Sequence, residues 1–133
     1  MKTNYLLQKA MDVSLTRHKV ISDNIANADT PGFKRSRVSF ESHLLRALAS
    51  EDEMCKCPKA YMTHQNHIQF CKPMDYRTVQ PKIDVDYDTS LRNDKNNVDI
   101  EKEVSDAVVN TLRYRALSRR LNQNFKMLEM VMQ

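Results

Sequence analysis

The chain contains one glycine in 133 residues, and that glycine directly follows a proline. Pro31 fixes φ at the second position of a turn, and Gly32 accepts the positive φ that the third position of a type II turn requires. Proline also disfavours helical conformation at the residue before it. A helix that enters from the amino-terminal side is therefore predicted to end near Asp29.

The segment before this turn has helical periodicity and is predicted to be a helix over residues 4–28. Apolar and small residues recur there at steps of three and four, which is typical of a coiled-coil or bundle seam. The seam contains Leu7, Met11, Ser14, His18, Ile21, Ile25 and Ala28. A single histidine on such a seam is expected to be a packed, hydrogen-bonded residue and not a metal ligand.

The last part of the chain predicts a second helix of about 35 residues that no glycine or proline interrupts. Asn97 is a candidate cap, and Asp99 and Glu101 favour the positive end of the helix dipole. The predicted seam contains Val104, Ala107, Thr111, Tyr114, Ser118, Leu121, Phe125, Leu128 and Met132. The final turns are apolar on nearly every side, so we expect another chain to cover them.

Between the two long helices, residues 37–96 are predicted to form a central excursion. A short helix is expected over residues 40–50, with Ser39 as its cap and leucines along one side. Residues 51–80 lack a sustained period and indicate a loop. A period of two over residues 82–88 predicts a short edge strand whose alternating aspartates, Asp84, Asp86 and Asp88, face solvent.

These elements predict a mainly α fold in which the two terminal helices pair as an antiparallel coiled-coil hairpin. Residues 1–36 and 97–133 would form one discontinuous helical domain, and residues 37–96 would project from it. Charged residues are 29% of the chain and aromatic residues 7%, which is little material for a compact core. We therefore expect part of the burial to be completed against other chains.

The net charge of +4 is unevenly distributed. Residues 83–106 contain eight acidic and three basic side chains, whereas residues 109–133 contain five basic and one acidic. Two surfaces of opposite sign favour head-to-tail or ring contacts between like subunits, although an ordinary solvated helix face would give the same counts. Basic residues are not interleaved with stacking aromatics, which argues against nucleic-acid binding.

No hydrophobic leader or membrane span is expected, because charged residues interrupt the apolar positions of the first helix. The sequence also lacks a nucleophile elbow, a phosphate-binding glycine loop and a zinc-protease motif, so we expect no catalysis, no cofactor and no small-molecule substrate. Five residues of the central loop could in principle bind zinc, but their spacing differs from the usual zinc pairs. They are Cys55, Cys57, His64, His67 and Cys71.

Two short motifs resemble those of the flagellar rod and hook protein family. Residues 24–34 read Asn-Ile-Ala-Asn-Ala-Asp-Thr-Pro-Gly-Phe-Lys and resemble the family's amino-terminal signature. Its motif residues here are Asn24, Asn27, Thr30, Pro31 and Gly32. Residues 96–103 read Asn-Asn-Val-Asp-Ile-Glu-Lys-Glu, similar to the start of the carboxy-terminal helix in proximal-rod members.

The resemblance implies a structural rod subunit that polymerises through its terminal helices. It implies export through the flagellar type III apparatus without signal cleavage, and a place in the periplasm-spanning rod of the basal body. The partners it implies are like subunits, other rod proteins, the junction of the MS-ring with the export gate, and the export apparatus. The expected assembly seam contains Leu7, Met11, Ile21, Ile25, Val104, Leu121, Phe125 and Leu128.

Phe40 and Leu44 match the family's export-recognition pattern, a phenylalanine with an apolar residue four positions later. Both residues would also lie on the apolar side of the short helix, so packing alone could explain them. The chain departs from the family where an acidic residue and a glycine commonly precede the paired asparagines. Asp94 and Lys95 stand there instead, and lysine does not favour positive φ.

Two other functions remain open from the sequence. One is a cytoplasmic helical adaptor or small regulator that binds metal through the cysteines and histidines of the central loop. The other is a different proximal-rod paralogue, which would share the first motif and differ in the second.

Overall fold

The computed structural model describes residues 2–56, 74–87 and 94–132. Five elements occur in chain order: helix α1 at Lys2–Ala26, strand β1 at Ser36–Ser39, helix α2 at Glu41–Lys56, strand β2 at Lys82–Val85 and helix α3 at Ile100–Met132. The prediction of a mainly helical fold is confirmed. The chain forms two compact units, one from Met1–Val38 with Ile83–Gln133 and the other from Ser39–Lys82.

Helices α1 and α3 pack against each other as an antiparallel pair, as predicted. Three polar contacts mark the direction. The Asn124 side chain donates to Asn4 at 2.8 Å near the start of α1, and Asn110 donates to the Ser14 carbonyl at 2.8 Å near its middle. At the other end, Asn24 donates to Glu103 at 3.2 Å.

Helix α1 turns one narrow face toward α3, and the predicted seam is only partly correct. Val13, Val20 and Ile21 are buried, whereas Leu7, Met11 and Ile25 are half-buried. The prediction of a packed His18 is wrong, because this side chain is exposed. With a single partner helix the buried face is narrow, and position 18 lies about 100° around the helix from its centre.

Helix α1 also begins and ends two residues earlier than predicted. After Ala26 the backbone turns tightly, and the Thr30 amide donates to the Asn27 carbonyl at 3.1 Å. Asn27 and Ala28 therefore belong to the turn that follows the helix. Proline at position 31 and glycine at position 32 explain why the helix ends here, but they do not determine the last helical residue.

Helix α3 buries different side chains from those predicted at its amino-terminal end. Glu103 and Asn110 are buried, whereas Val104, Thr111, Phe125, Leu128 and Met132 are exposed. Of the predicted seam, Ala107, Tyr114, Ser118 and Leu121 are half-buried. The prediction was wrong because it treated apolar character as the mark of the inner face, whereas two polar side chains occupy that face with hydrogen-bond partners.

The second unit contains α2, which extends to Lys56 and not to residue 50 as predicted. Phe40 directly precedes the helix, and its carbonyl accepts the Leu44 amide at 2.9 Å, so the predicted cap at Ser39 is wrong. Ala47, Tyr76 and Val79 are buried in this unit. Leu45, predicted on the apolar side, is 67% exposed.

Strands β1 and β2 form a two-stranded sheet. The predicted strand over residues 82–88 ends at Val85, and its predicted orientation is reversed. Ile83, Val85 and Tyr87 are exposed, whereas Asp84 and Asp86 are half-buried. The backbone of Asp86 exchanges hydrogen bonds with Arg35 and Asn97, which holds this end of the strand against the first unit's other segments. Asp88 lies outside the described residues.

None of the described helices has a stretch that is both long enough and apolar enough to cross a membrane.

Candidate functional site

The turn after α1 has the geometry that the Pro-Gly pair predicts. The Phe33 amide donates to the Thr30 carbonyl at 3.3 Å, and Gly32 has φ of 73°. A Cβ atom added at Gly32 would meet nothing within 4 Å. The requirement for glycine therefore comes from the backbone conformation and not from crowding.

Asn96 fastens this turn to the segment that leads into α3. Its Nδ2 donates to the carbonyls of Asn27 at 3.1 Å, Ala28 at 2.9 Å and Thr30 at 2.9 Å. Its Oδ1 accepts the Val98 amide at 2.7 Å, and the residue is 0% exposed. The Gly32 amide adds a backbone bond to Asp94 at 2.9 Å. The Asn96 side chain thus provides a hydrogen-bond donor to three carbonyls of the turn that follows α1.

Asn97 joins the segment before α3 to the residue before strand β1 and the residue after strand β2. Its Oδ1 accepts the Arg35 amide at 2.6 Å, and its Nδ2 donates to the Asp86 carbonyl at 2.9 Å. The prediction that Asn97 caps α3 is therefore wrong. Asp99 is the cap, because its carboxylate accepts the Glu101 amide at 3.1 Å and the Lys102 amide at 3.4 Å.

Asn24 makes the third connection, from the last turn of α1 to strand β1. Its Oδ1 accepts the Ser36 amide at 3.0 Å while its Nδ2 donates to the Ser36 carbonyl at 2.9 Å. The same Nδ2 also reaches Glu103 at 3.2 Å. We name the three buried residues Asn24, Asn96 and Asn97 the asparagine clamp. Each of them hydrogen-bonds backbone groups of another segment, as a ladder or cap would.

An ion pair lies beside the clamp. Arg35 Nε donates to Glu103 Oε1, and its second amino group contacts Asp106 at 3.0 Å. Glu103 is 0% exposed and Arg35 is 7% exposed, so both charges are removed from water. Their mutual pairing, together with the Asn24 contact, offsets the desolvation of the carboxylate.

The other residues of the amino-terminal motif lie nearer the surface. The Asn27 side chain bonds only its own helix end, where Nδ2 donates to the Asp23 carbonyl at 2.8 Å and Oδ1 lies 3.4 Å from Thr30 Oγ1. Thr30 and Pro31 are exposed. Among the motif residues, Asn24 is therefore buried and bonds residues that are distant in the sequence, whereas the others shape the turn.

Lys95 adopts φ of 64° in the turn directly before the clamp residues of the second motif. The left-handed turn is therefore present although the family's glycine is absent. The conformation costs lysine about 1 kcal/mol relative to glycine. The neighbouring bonds hold it there: Asp94 accepts the Gly32 amide through its carbonyl and the Asn96 amide, at 3.1 Å, through its carboxylate.

Phe40 and Leu44, the predicted export-recognition pair, lie at the start of α2. Phe40 is 3% exposed and Leu44 is half-buried. In the folded chain the phenylalanine ring is therefore not available to another protein, so recognition of this pair would require the segment to be unfolded.

Helix α3 carries two exposed apolar surfaces. The first, named here the α3 stripe, is formed at steps of four by Ile100, Val104, Val108 and Leu112, which are 41–58% exposed. The second, named the α3 tail, is residues 125–132, which continue α3 past the Asn4–Asn124 contact and have little of α1 beside them. Its residues Val131 and Met132 are 84% and 83% exposed.

The described part of the chain contains no cluster of three or more potential metal ligands. Cys57, His64, His67 and Cys71, and the side chain of Cys55, lie outside the described residues. The hydrogen bonds of the clamp and the Arg35–Glu103 ion pair connect segments that are distant in the sequence. We therefore assign these residues a role in holding the fold together.

Sequence reasoning missed Arg35, Glu103 and Asn110. A signal existed for two of them, since Glu103 and Asn110 are seven residues apart and fall on the same helix face as Tyr114 and Leu121. Arg35 carries no such signal, because its partner is 68 residues away in sequence.

Known proteins resemble this chain over most of its length. A family model described as flagella basal body rod protein matches residues 5–34. The flagellar basal body rod protein FlgB of Borreliella burgdorferi is 38% identical over 122 residues, which cover 92% of this chain and 89% of the relative. FlgB of Bacillus subtilis is 33% identical over 127 residues, covering 95% and 89%. FlgB of Escherichia coli is 29% identical over 107 residues, covering 80% and 75%.

Proposed function

The chain belongs to the FlgB family of flagellar basal body rod proteins, and we propose that it is a structural subunit of the proximal rod. The single observation that best supports polymerisation is the exposed apolar surface of α3. A folded chain that leaves Val131 and Met132 more than four-fifths exposed gains from contact with further copies.

In this proposal the α1–α3 hairpin is the load-carrying element of the rod. The discontinuous helical domain at the two ends of the chain would form the inner tube, and the central excursion would project from it. The asparagine clamp would keep the turn after α1 fixed to the start of α3, so that the hairpin acts as one stiff body. Leu7, Met11, Ile21, Ile25, Val104, Leu121, Phe125 and Leu128 are the proposed assembly seam.

Type III export and the place of the subunit in the rod are further parts of the proposal. The proposed partners are like subunits, other rod proteins, and the junction of the MS-ring with the export gate. Phe40 and Leu44 are proposed to be read by the export apparatus before the chain folds, since Phe40 is buried afterwards. The alternative of a metal-binding regulator is not favoured by the relatives.

Deletion of the gene tests the role directly. Cells without it should not swim, and basal bodies isolated from them should lack the rod when viewed by electron microscopy. Expression of the chain from a plasmid should restore both. Basal bodies with an intact rod in the deletion strain would contradict the proposal.

The turn provides a finer test. Gly32→Val should abolish rod assembly while the protein is still expressed, because a β-branched residue is strongly disfavoured at φ of 73°. Gly32→Asn is the matched control, because asparagine tolerates the left-handed conformation and the site has open space. Normal swimming with Gly32→Val would contradict a role for this turn.

A further inference from the structure

The end of the α1–α3 pair where α1 begins and α3 ends is strongly basic. Residues 2–12 contain two basic side chains and one acidic, and residues 113–132 contain five basic and one acidic. We name these two segments together the open end. The five basic residues of its α3 segment, named here the α3 cations, are all exposed, and they are Arg113, Arg115, Arg119, Arg120 and Lys126. In the part of the chain that the structure describes, none of the five makes an ion pair.

The α3 cations extend along two sides of the helix. Arg115, Arg119 and Lys126 follow one another at steps of four and seven and so share one side, and Arg113 and Arg120, seven residues apart, share another. From position 113 to position 126 the helix rises by about 20 Å. Charge of one sign is therefore spread over a broad outward surface, which suits an extended anionic surface better than a single acidic side chain.

The α3 tail directly continues this basic segment. Six of its eight side chains are apolar and 49–84% exposed, namely Phe125, Met127, Leu128, Met130, Val131 and Met132. Successive helical residues are rotated by about 100°, so these six side chains point in all directions around the helix axis. A neighbouring helix would cover one face of such a tip, whereas the interfacial region of a lipid bilayer would surround it.

We propose that the open end docks on the surface of a bilayer that contains anionic phospholipids. The α3 cations would bind the lipid phosphate groups, and the α3 tail would place its apolar side chains at the boundary between headgroups and acyl chains. Both groups of side chains are already exposed, so the contact requires no change in the fold of the described residues.

This contact goes beyond the proposed rod function. In the rod, further copies of the chain would cover the α3 tail, so the lipid contact belongs to the chain before it is assembled, and the two contacts compete for the same apolar side chains. An acidic protein is the other occupant that the charge would allow. The tail favours lipid over it, because its apolar side chains lie on every side of the helix.

Co-sedimentation of the full chain with lipid vesicles tests the contact. The chain should bind vesicles of equal parts phosphatidylglycerol and phosphatidylcholine at least about tenfold more tightly than vesicles of phosphatidylcholine alone, because each cation near an anionic surface adds to the affinity. Binding should weaken as salt is added, since mobile ions screen exposed charges. Dilute chain is used, so that self-association does not cover the tail first.

A pair of double variants tests the placement of the charge. Arg115→Gln with Arg119→Gln should weaken binding to the mixed vesicles by roughly tenfold. Lys19→Gln with Lys102→Gln is the matched control, because it removes the same charge from exposed helical positions outside the open end, and it should bind nearly as tightly as the parent chain. All four positions are exposed, so both double variants should keep the circular dichroism spectrum of the parent chain.

Fluorescence tests the insertion of the tail. The chain contains no tryptophan, so a single one introduced at the tail reports on its surroundings. Val131→Trp should emit at shorter wavelength with the mixed vesicles than in buffer, because position 131, which is 84% exposed in the free chain, would leave water. His18→Trp is the matched control at an exposed position of α1 outside the open end, and its emission should not shift.

Three results would overturn the lipid contact. They are equal binding to the two kinds of vesicle, equal losses for the two double variants, and an unshifted emission of Val131→Trp with the mixed vesicles. Tighter binding of the chain to polyglutamate than to the mixed vesicles would assign the open end to an acidic protein instead. Deletion of the gene tests the rod function without reference to lipid, so the two proposals fail separately.

Discussion

Individual asparagines in this chain have very different roles that the sequence alone does not distinguish. Asn27 and Asn96 belong to the two family motifs and look equivalent in the sequence. Asn96 is 0% exposed and bonds three carbonyls of a segment more than 60 residues away, whereas Asn27 bonds its own helix end at the surface. Burial and the sequence distance of the partner decide which of them holds the fold together.

Asn96→Ala should lower the free energy of unfolding by about 2–4 kcal/mol. It removes two buried hydrogen bonds, to the Ala28 carbonyl and from the Val98 amide, and two partly buried ones to the Asn27 and Thr30 carbonyls, and lost buried bonds are costly. Urea unfolding followed by circular dichroism measures the change. Asn27→Ala is the matched control and should cost less than about 1 kcal/mol, because its contacts are local and exposed. Equal losses for the two variants would contradict the clamp.

Lys95→Gly should raise the free energy of unfolding by roughly 0.5 kcal/mol. Glycine adopts φ of 64° without strain, and this gain exceeds the entropy that glycine adds to the unfolded chain. Thermal unfolding measures it. Lys102→Gly replaces an exposed lysine inside α3 and should change stability in the opposite direction by a similar amount. If both variants lowered the free energy of unfolding, the left-handed conformation of Lys95 would not be a source of strain.

At the scale of elements, the two long helices were predictable because their apolar periodicity is sustained over many turns. The end of α1 was predictable within two residues from Pro31 and Gly32. The side chains that α3 packs against α1 were not predictable from the sequence. Glu103 and Asn110 are polar residues whose burial depends on Arg35 and Ser14, which are distant in sequence. The prediction of which β2 side chains face solvent was wrong for a similar reason, since long-range hydrogen bonds to Asp86 outweigh the alternation of apolar residues.

Glu103→Ala should lower the free energy of unfolding by about 3–5 kcal/mol, because it leaves Arg35 in a buried site with only the partly exposed Asp106 as a charged partner. Arg35→Ala should be similarly costly. The double variant should lose less than the sum of the two, by at least about 1 kcal/mol, because the buried charges are removed together. Glu101→Ala, at an exposed position of the same helix, is the control. Additive losses would contradict the coupling of the pair.

The middle of the α1–α3 pair contains Asn110, which is 3% exposed. Its Nδ2 donates to Ser14, but its Oδ1 has no partner among the described residues. A polar residue at such a position fixes helix register at a cost in stability. Asn110→Leu should therefore raise the free energy of unfolding by about 1 kcal/mol. A loss of similar size in chemical denaturation would show that the bond to Ser14 outweighs the unpaired oxygen.

At the scale of the whole molecule, the chain hides one face of each long helix and leaves much of α3 uncovered. The α3 tail is the clearest case, because its apolar residues continue past the point where α1 begins. The low aromatic content of the sequence predicted incomplete burial, and the exposed surfaces of α3 agree with it. Which surfaces remain uncovered could not be predicted, because that depends on how far α3 outruns its partner helix.

The melting temperature should therefore rise with protein concentration, because association of folded copies stabilises the folded state by mass action. Differential scanning calorimetry over a range of concentrations measures this. Met127→Asp should remove the dependence without lowering the melting temperature of the dilute chain. A melting temperature that is constant for the parent chain would contradict self-association.

The hydrogen bonds that connect the two ends of the chain are made largely by uncharged carboxamide groups. The amide groups of Asn24, Asn96 and Asn97 neither gain nor lose a proton under physiological conditions, and mobile ions scarcely screen their bonds. A rise in ionic strength would therefore leave these carboxamide bonds largely unchanged, whereas the neighbouring Arg35–Glu103 pair is made of charged groups.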